Sequence, residues 1–355
     1  MKVAYFDSPS SNPYQEQFFS SVANAGVDVT PLRLTPKFYQ QWNDDFDILH
    51  LDWLHALYKT RRGLVATLAK SLYANWALSQ IGRQAKIVHT FHNVVSHDSS
   101  LPRALETRLV QTLISRINAF TVFNDVSCDA LHKNYRLRND QICSTIPHGN
   151  YIDSYTMRSD KLACRAELGI PADVFLFMFF GALRENKGIT DLVRVFPAVH
   201  QRCGAHLVVA GGNPTDRVTD SLRHQPPSIH VRDDGIPEHA VPTYFGACDA
   251  VVLPFRSILN SGSTILAASL GKHSVLPDLD SLTASLQSGT YTVYPVNDLR
   301  RLTDALVSVA SMDRKQLDQS GADSRQYVKE TLAWELIGKR TLNLYQTVLG
   351  DSPFC

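Results

Sequence analysis

Short, almost wholly apolar runs recur along the chain, separated by longer segments with helical spacing. The stretch Asp249 to Pro277 shows the alternation most clearly. Ala250 to Leu253 is apolar throughout, as expected of a parallel strand buried on both faces, and Pro254 ends it. A polar loop closes with Asn260-Ser261-Gly262-Ser263. An apolar helical segment then runs from Thr264 to Leu270, Gly271 stops it, and Ser274 to Leu276 begins another strand. Small Ser and Gly residues thus stand where a helix begins. Backbone N–H groups there are unpaired and the helix dipole is positive, a combination suited to a phosphate.

The same grammar holds from the start of the chain. Lys2 to Phe6 reads as a strand, Asp7 to Pro13 as a polar loop, and Tyr14 to Ala25 as a helix ended by Gly26. Strands follow at Val27 to Leu32 and Asp47 to Leu51, the latter running into Asp52 and His55. A long helical region spans about Leu57 to Ile81, and Lys86 to Phe91 is the next strand, with His92-Asn93 and His97-Asp98 behind it. Pro102 to Ile117 is helical, and Ala119 to Phe123 is a strand with Asn124-Asp125 at its carboxyl end. Ile146-Pro147-His148-Gly149-Asn150, continuing to about Ser159, breaks the periodicity and reads as a linker.

A second series then begins. Val174 to Phe180, His206 to Ala210 (closed by Gly211-Gly212), Ile229 to Val231 and Val293 to Pro295 are strands. Ile189 to Gln201 and Leu299 to Met312 are helices, and a long helical tail covers Arg314 to Leu349. Strands alternating with helices predict an α/β chain of two Rossmann-like, doubly wound domains in tandem.

Bulk properties narrow the function. At 355 residues two domains are the default, and 44% hydrophobic with 19% charged residues describes a globular protein. A net charge of +1 offers no basic field for nucleic acid. Six scattered cysteines without a C-x-x-C pair favour reduced thiols in a cytoplasmic protein over a disulfide framework or zinc site. Met1 to Asp7 turns polar too quickly for a signal peptide. No apolar run approaches the roughly 18 residues of a membrane span, so membrane contact is expected to be peripheral.

Ligands of open parallel sheets bind beyond the carboxyl ends of the strands, which selects three loops of the second half. Phe179 to Gly188 contains Gly181 and places Arg184 and Lys187 three residues apart, a planar fork and a compact charge suited to a diphosphate. The Ser261-Gly262-Ser263 turn is the second loop. Gly211-Gly212-Asn213 is the third, where missing side chains let a ligand approach the backbone. An NAD-dependent oxidoreductase lacks support, because Asp7-Ser8-Pro9-Ser10 stands where a G-x-G-x-x-G turn would follow the first strand.

Taken together, Phe179 to Gly188, the Asp249 to Pro254 strand, the Ser-Gly turn and Gly271 resemble the donor-binding half of GT-B glycosyltransferases. His89 to Asp98, Ile146 to Tyr151 and Trp334-Glu335 are similar to further motifs of the bacterial exopolysaccharide and lipopolysaccharide enzymes in or near family four. The resemblance implies two Rossmann-like domains facing across a cleft: an acceptor-binding domain over 1–153, a nucleotide-sugar domain over 154–335, and a helix over 336–355 returning to the first. It implies sugar transfer from a nucleotide sugar, GDP-mannose first and a UDP-sugar second, to a lipid-linked or polysaccharide acceptor. The nucleotide sugar is a co-substrate, and neither a cofactor nor a metal is expected; Asp278-Leu279-Asp280 is discounted as a metal motif. Arg184 and Lys187 would neutralise the departing diphosphate, with Gly181, Gly212, Ser261, Gly262 and Ser263 around it.

One departure from the family matters. Its E-x7-E glutamates fall on Ile258 and Leu266 here, which sets the chain beside divergent, inverting enzymes such as the xanthan β-mannosyltransferase. An inverting transfer needs a general base, with His92, His97 and Asp98 as first candidates and Asp52 and His55 next. Asn93, His148 and Asn150 are expected to line the cleft. Two other readings stay open: a sugar-nucleotide-binding protein without turnover, and a retaining enzyme with a different base.

Between Lys59 and Lys86 the charged residues are Lys59, Arg61, Arg62, Lys70, Arg83 and Lys86, all basic. Leu64, Leu68, Leu72 and Trp76 recur every four residues, and Tyr58 and Tyr73 add amphipathic rings. Such a basic amphipathic helix suits the anionic inner face of a plasma membrane.

Overall fold

A computed structural model describes residues 1–7, 12–35, 37–42, 45–60, 62–94, 101–158 and 160–350. The chain divides into two compact units, Asn150–Ala333 and, flanking it in sequence, Met1–Gly149 with the segment from Trp334 onward. The first unit carries β1 (Lys2–Asp7), α1 (Tyr14–Asn24), β2 (Asp28–Arg33), β3 (Ile48–Leu51), α2 (Leu64–Ile81), β4 (Lys86–Thr90), α3 (Arg103–Ile114), β5 (Ala119–Val122), α4 (Asp125–Asn134) and β6 (Ile142–Thr145). The second continues with α5 (Lys161–Leu168), β7 (Leu176–Phe180), α6 (Ile189–Cys203), β8 (His206–Ala210), α7 (Asp216–Leu222), β9 (Ile229–Arg232), α8 (Val241–Ala247) and β10 (Ala250–Val252). It closes with α9 (Gly262–Ser269), β11 (His273–Pro277), α10 (Asp280–Thr283), β12 (Tyr291–Tyr294), α11 (Leu299–Ala310) and α12 (Arg314–Thr331), after which α13 (Trp334–Leu349) rejoins the first unit.

Each unit is built on a six-stranded sheet, ordered β2-β1-β3-β4-β5-β6 in the first and β12-β11-β10-β7-β8-β9 in the second. Every strand pair is parallel, with registers such as Leu49↔Ile87 and Met178↔Val208. The strand order reverses between β1 and β3, and again between β7 and β10. Loops beyond the carboxyl ends of those strands therefore splay apart and leave a crevice.

The apolar runs explain the sheets. Ile48–Leu51, Ala119–Val122 and Ala250–Val252 are buried along their whole length, as strands covered on both faces must be. In the first unit α1 and α13 cover one face: Phe18, Phe19 and Val22 pack with Ile337, Leu344 and Tyr345 over Val3, Ile48 and Val88. Gly338 makes the helix contact possible, since a Cβ there would lie 2.3 Å from the Ser21 carbonyl oxygen. The second core joins Phe177, Phe179, Leu207, Val209, Val251 and Val275 to Phe196 and Leu306. At its edge the buried Asp249 carboxylate accepts from the Arg165 guanidinium at 2.8 Å and the Leu176 amide at 2.7 Å, and pairs with Lys161 and Arg314.

Three expectations change. The helical tail is two helices, broken around Leu332-Ala333. Asn150 explains the break: its amide nitrogens donate to the Val328 and Leu332 carbonyls, from Nδ2 at 3.1 Å each and from the backbone at 2.9 Å to Leu332. These bonds draw Asn150 into the second unit, so the divides fall at Gly149–Asn150 and Ala333–Trp334. The helical region from Leu57 starts as helix only at Leu64, after Gly63 at a φ of 92°. That helix, α2, keeps most of the expected stripe on the outside. Thr67, Ser71, Ala74, Ala77, Leu78 and Ile81 face inward, whereas Leu64, Val65, Leu72 and Trp76 are exposed. Small side chains let the middle of the helix lie close to its support, and Leu78 and Ile81 pack at its far end.

Candidate active site

In the first unit the carboxyl ends of β3 and β4 bring Asp52 and His92 together. The Asp52 side chain is 1% exposed and accepts from Gln15 Nε2 at 2.8 Å. The same Gln15 amide donates to the Phe6 carbonyl at 3.1 Å, so α1 and β1 fix the carboxylate from behind. His92 Nε2 lies 3.6 Å from Asp52 Oδ1. Burial alone would raise the pKa of Asp52. The imidazole of His92, followed by His50 and Gln15, outweighs burial and holds the carboxyl below its ordinary value. Asp52 is therefore an anion in a dry setting, facing the His92 imidazole.

Aromatic rings fix His92 on several sides. Trp53 stacks on it with centroids 5.4 Å apart and planes 16° from parallel, and Tyr14 meets it edge-on at 5.6 Å. Phe123, one residue past β5, lies 5.2 Å away. The His92 side chain keeps 14% exposure, enough to meet a ligand. A cavity of about 550 Å³ adjoins the carboxylate at the reversal of strand order, lined by Phe6, Asp7, Arg33, Leu51, Asp52 and Trp53.

Three neighbouring histidines have other work. His50 bridges Tyr345 Oη at 2.5 Å and Thr90 Oγ1 at 2.8 Å, and burial pushes its pKa down to about 4. His89 donates from Nδ1 to the Leu51 carbonyl at 2.8 Å, and burial lowers it to about 3. His148 donates from Nδ1 to the Gly149 carbonyl at 2.6 Å, sits 4.6 Å from the Tyr14 ring, and is lowered by burial to about 4. All three are neutral structural groups at pH 7. His148 nonetheless belongs to the aromatic shell around His92, being 5.6 Å from Phe123 and 6.3 Å from Trp334.

In the second unit the loops after β7 and β10 flank the reversal of strand order. Gly181, at a φ of 143°, follows β7, and a Cβ on it would lie 3.0 Å from Ser263 Oγ. The β7 loop thus runs against the start of α9. There the Ser261 Oγ caps the helix by accepting from the Thr264 amide at 3.3 Å. Thr264 is 2% exposed, and its hydroxyl oxygen has no hydrogen-bond partner. A buried hydroxyl in that state asks for a ligand acceptor or donor.

Backbone crowding keeps the loops in place. A Cβ at Gly188 would meet the Pro254 carbonyl at 1.8 Å, and one at Gly211 would meet the Gly181 carbonyl at 1.9 Å. Gly212 lies against Gly235 and receives the Leu183 amide on its carbonyl at 3.0 Å. Lys187 is half-buried with Nζ 4.0 Å from the Phe255 ring centroid. Desolvation first, and the charge of Arg184 second, push its pKa down to about 8. Two cations near one another, one of them short of solvent, give the loop a positive character.

The expected residues therefore sort as follows. Asp52 and His92 meet in the first unit, with Asn93 half-buried beside them and His55 on the short turn Leu54–Leu57. His148 lies in their aromatic shell. Gly181, Arg184, Lys187 and Gly212 occupy the strand-end loops of the second unit, and Ser261 caps α9, which begins with Gly262 and Ser263. Asn150 is spent on the end of α12, while His97, Asp98 and Arg61 lie outside the described residues. Gln15, Trp53, Tyr14 and Thr264 went unnoticed in the sequence. Only Gln15 carried a signal, as a buried polar position on the apolar face of α1. Ile258 and Leu266, at the places of the family glutamates, pack into the second core, and the reason for the missing carboxylates is that these positions have become apolar packing.

Comparison with known proteins agrees with this architecture. Residues 174–312 match the family described as Glycosyl transferases group 1. The chain is 26% identical over 279 residues to a GDP-mannose:glycolipid 4-beta-D-mannosyltransferase of Xanthomonas campestris pv. campestris, covering 76% of this chain and 70% of that protein. It is 22% identical over 303 residues to the D-inositol 3-phosphate glycosyltransferase of Corynebacterium glutamicum, covering 78% and 70%. Among solved structures, a sucrose-phosphate synthase from Thermosynechococcus elongatus superposes with a TM-score of 0.76 at 16% identity, over 99% of this chain and 100% of that one. HepE of Anabaena, in complex with UDP and glucose, gives 0.73 at 15% over 98% and 100%. The second unit carries the match to the glycosyltransferase group 1 family, and the chain has the GT-B fold and the relatives of a glycosyltransferase.

Proposed function

We propose that the chain transfers a mannosyl group from GDP-mannose to a lipid-linked saccharide in bacterial exopolysaccharide or lipopolysaccharide assembly, with inversion at the anomeric carbon. The observation that carries this reading is the Asp52–His92 pair. With Nε2–H turned to Asp52, the imidazole accepts a proton at Nδ1, and the buried carboxylate stabilises the imidazolium that forms. The acceptor hydroxyl loses its proton to His92 as its oxygen bonds to the anomeric carbon. The bond from that carbon to the diphosphate oxygen breaks, and the nucleoside diphosphate departs with the electron pair.

Lys187, Arg184 and the start of α9 supply positive charge for that departure. Each charge-assisted contact is worth roughly 1.5–3 kcal/mol. The apolar Ile258 and Leu266 favour inversion over retention, since no carboxylate stands at either position. The Xanthomonas relative, a GDP-mannose:glycolipid 4-beta-D-mannosyltransferase, favours this donor and a glycolipid acceptor.

The exposed face of α2 supports work at the inner membrane surface. Val65 is 82% exposed, Leu72 71% and Trp76 47%, and the Trp76 ring lies 5.0 Å from Tyr39 and 5.7 Å from Tyr73. Arg62, Arg83 and Lys86 are exposed in the same region. Lys70 is not part of this face, because its ammonium donates to the Ala56 and Lys59 carbonyls at 2.8 and 2.9 Å. Among the described residues no helix is long and apolar enough to cross a membrane.

The test is release of GDP by the purified full chain, given GDP-mannose and a bacterial polyprenyl-diphosphate glycan. Release that requires His92, with an inverted linkage by NMR, is expected. Saturable nucleotide binding with no release would make the protein a binder, and a retained configuration would remove His92 as the base.

A further inference from the structure

The cysteines look unpromising in sequence because they are scattered. The fold gathers two of them with a histidine, away from the site described above. Cys128 and His132 stand one turn apart on the same face of α4, and Cys143 lies on the neighbouring edge strand β6. Their ligand atoms all fall within 4.8 Å of one another, and the two sulfurs are 3.0 Å apart. The cysteines are half-buried and His132 is exposed.

We propose that Cys128, His132 and Cys143 bind one thiophilic divalent ion of the zinc type, clamping α4 to β6. Three points of chemistry favour it. Two thiolates and a neutral imidazole balance the charge of a divalent ion while supplying soft and borderline donors. Tetrahedral bonds of about 2.3 Å to sulfur hold two sulfurs roughly 3.8 Å apart, which the present pair reaches by a small rotamer change. The donors come from a helix turn and a strand, both of them rigid supports.

On binding, each thiol gives its proton to solvent and each sulfur donates a pair to the ion, so the step needs no oxidant. Three protein ligands leave a fourth position for water on the solvent side, where His132 lies. The clamp also bears on the first unit as a whole. Asn124 caps α4 by accepting from the Ser127 amide at 2.8 Å, and it directly follows Phe123, whose ring touches His92.

Cobalt(II) is the probe, because bound thiolate gives a near-ultraviolet charge-transfer band and a four-coordinate site gives visible d–d bands. The full chain is reduced, desalted without oxygen and titrated with Co²⁺, and Zn²⁺ is then added in competition. One equivalent of cobalt is expected to bind with both signatures and to be displaced by zinc. Cys128→Ser and Cys143→Ser should each lower affinity at least about 100-fold, the upper end of what loss of an outer-shell partner costs. His132→Gln, at an exposed position that leaves folding intact, should weaken binding and change the d–d bands. A wild-type chain without the charge-transfer band overturns the proposal. So does a band unchanged in the Cys128→Ser/Cys143→Ser double variant, or a chain that forms a Cys128–Cys143 disulfide in air and binds no metal after reduction.

Discussion

Lys187 gives a test in which stability and activity move in opposite directions. Folding strips water from its ammonium and sets Arg184 near it, and the pKa falls from 10.5 to about 8. That fall corresponds to about 3 kcal/mol of destabilisation at pH 7, where the group is charged in both folded and unfolded states. The contact with Phe255 returns about 1 kcal/mol. Lys187→Met keeps the length and the apolar stem and removes the charge, so a net gain of about 2 kcal/mol is expected. In a unit of this size that raises the melting temperature by about 4–8 °C.

The sign has a pH signature. The burden on the wild type is complete below about pH 8 and fades as pH rises toward 10.5, where the unfolded lysine also loses its proton. Scanning calorimetry of both proteins at pH 7 and pH 10.5 measures the difference, and GDP added at pH 7 should stabilise the wild type far more than the variant. An unchanged or lower melting temperature for Lys187→Met at pH 7 would refute the account of a charge held in readiness for a diphosphate. A gain that persists undiminished at pH 10.5 would refute it equally.

Other outcomes follow from the same contacts. Lys187→Ala should lower kcat/KM for the nucleotide sugar by about 10²-fold, a loss near 3 kcal/mol, and a change below about threefold in folded protein would contradict its role. Asp52→Asn should lower kcat about 10²–10⁴-fold with donor affinity intact, and adding His92→Gln should make it little worse, because the two act as one unit; steady-state kinetics with additive losses would separate them. His50, His89 and His148 stay neutral when folded but take up protons when unfolded below about pH 6.5. Stability of the first unit should therefore fall as pH drops from 6.5 toward 4, each histidine contributing up to about 3 kcal/mol, so a urea midpoint equal at pH 7 and pH 5 would count against this. Leu72→Asp with Trp76→Ser should abolish sedimentation with anionic liposomes while GDP-mannose affinity stays the same, and undiminished sedimentation would remove α2 as the docking face.

The fold was legible because parallel strands buried on both faces leave runs such as Ala250 to Leu253 that few other structures require. The strand-end loops of the second unit were legible for a related reason: Gly188 and Gly211 stand where another backbone passes within contact distance, and glycine is the only residue that fits. Side-chain partnerships were less visible. Asp52 and His92 were both suspected, but pairing them depends on β3 and β4 being neighbours in the sheet, and Gln15 reaches the carboxylate from a helix far away in sequence. The support side of α2 was hidden because its leucine stripe marks the outer face. Its inward side is instead the row of Ala74, Ala77, Thr67 and Ser71, chosen for closeness rather than hydrophobicity. The edge strand β6 carries the mixed sequence Ile142-Cys143-Ser144-Thr145 and gave no periodic signal.

Helix α13 leaves a mark on how the molecule is made. Ile337, Leu344, Tyr345 and Val348 complete a core whose other buried members were synthesised before residue 149, and the Tyr345 hydroxyl reaches His50 beneath the Asp52–His92 pair. During translation the contiguous 150–333 segment can close its own core as it emerges from the ribosome. The earlier segment must wait for its last wall, with Phe18, Phe19 and His50 uncovered in the meantime. Maturation of the earlier half is thus timed by the emergence of α13, and a stop codon anywhere before α13 would strand it unfinished.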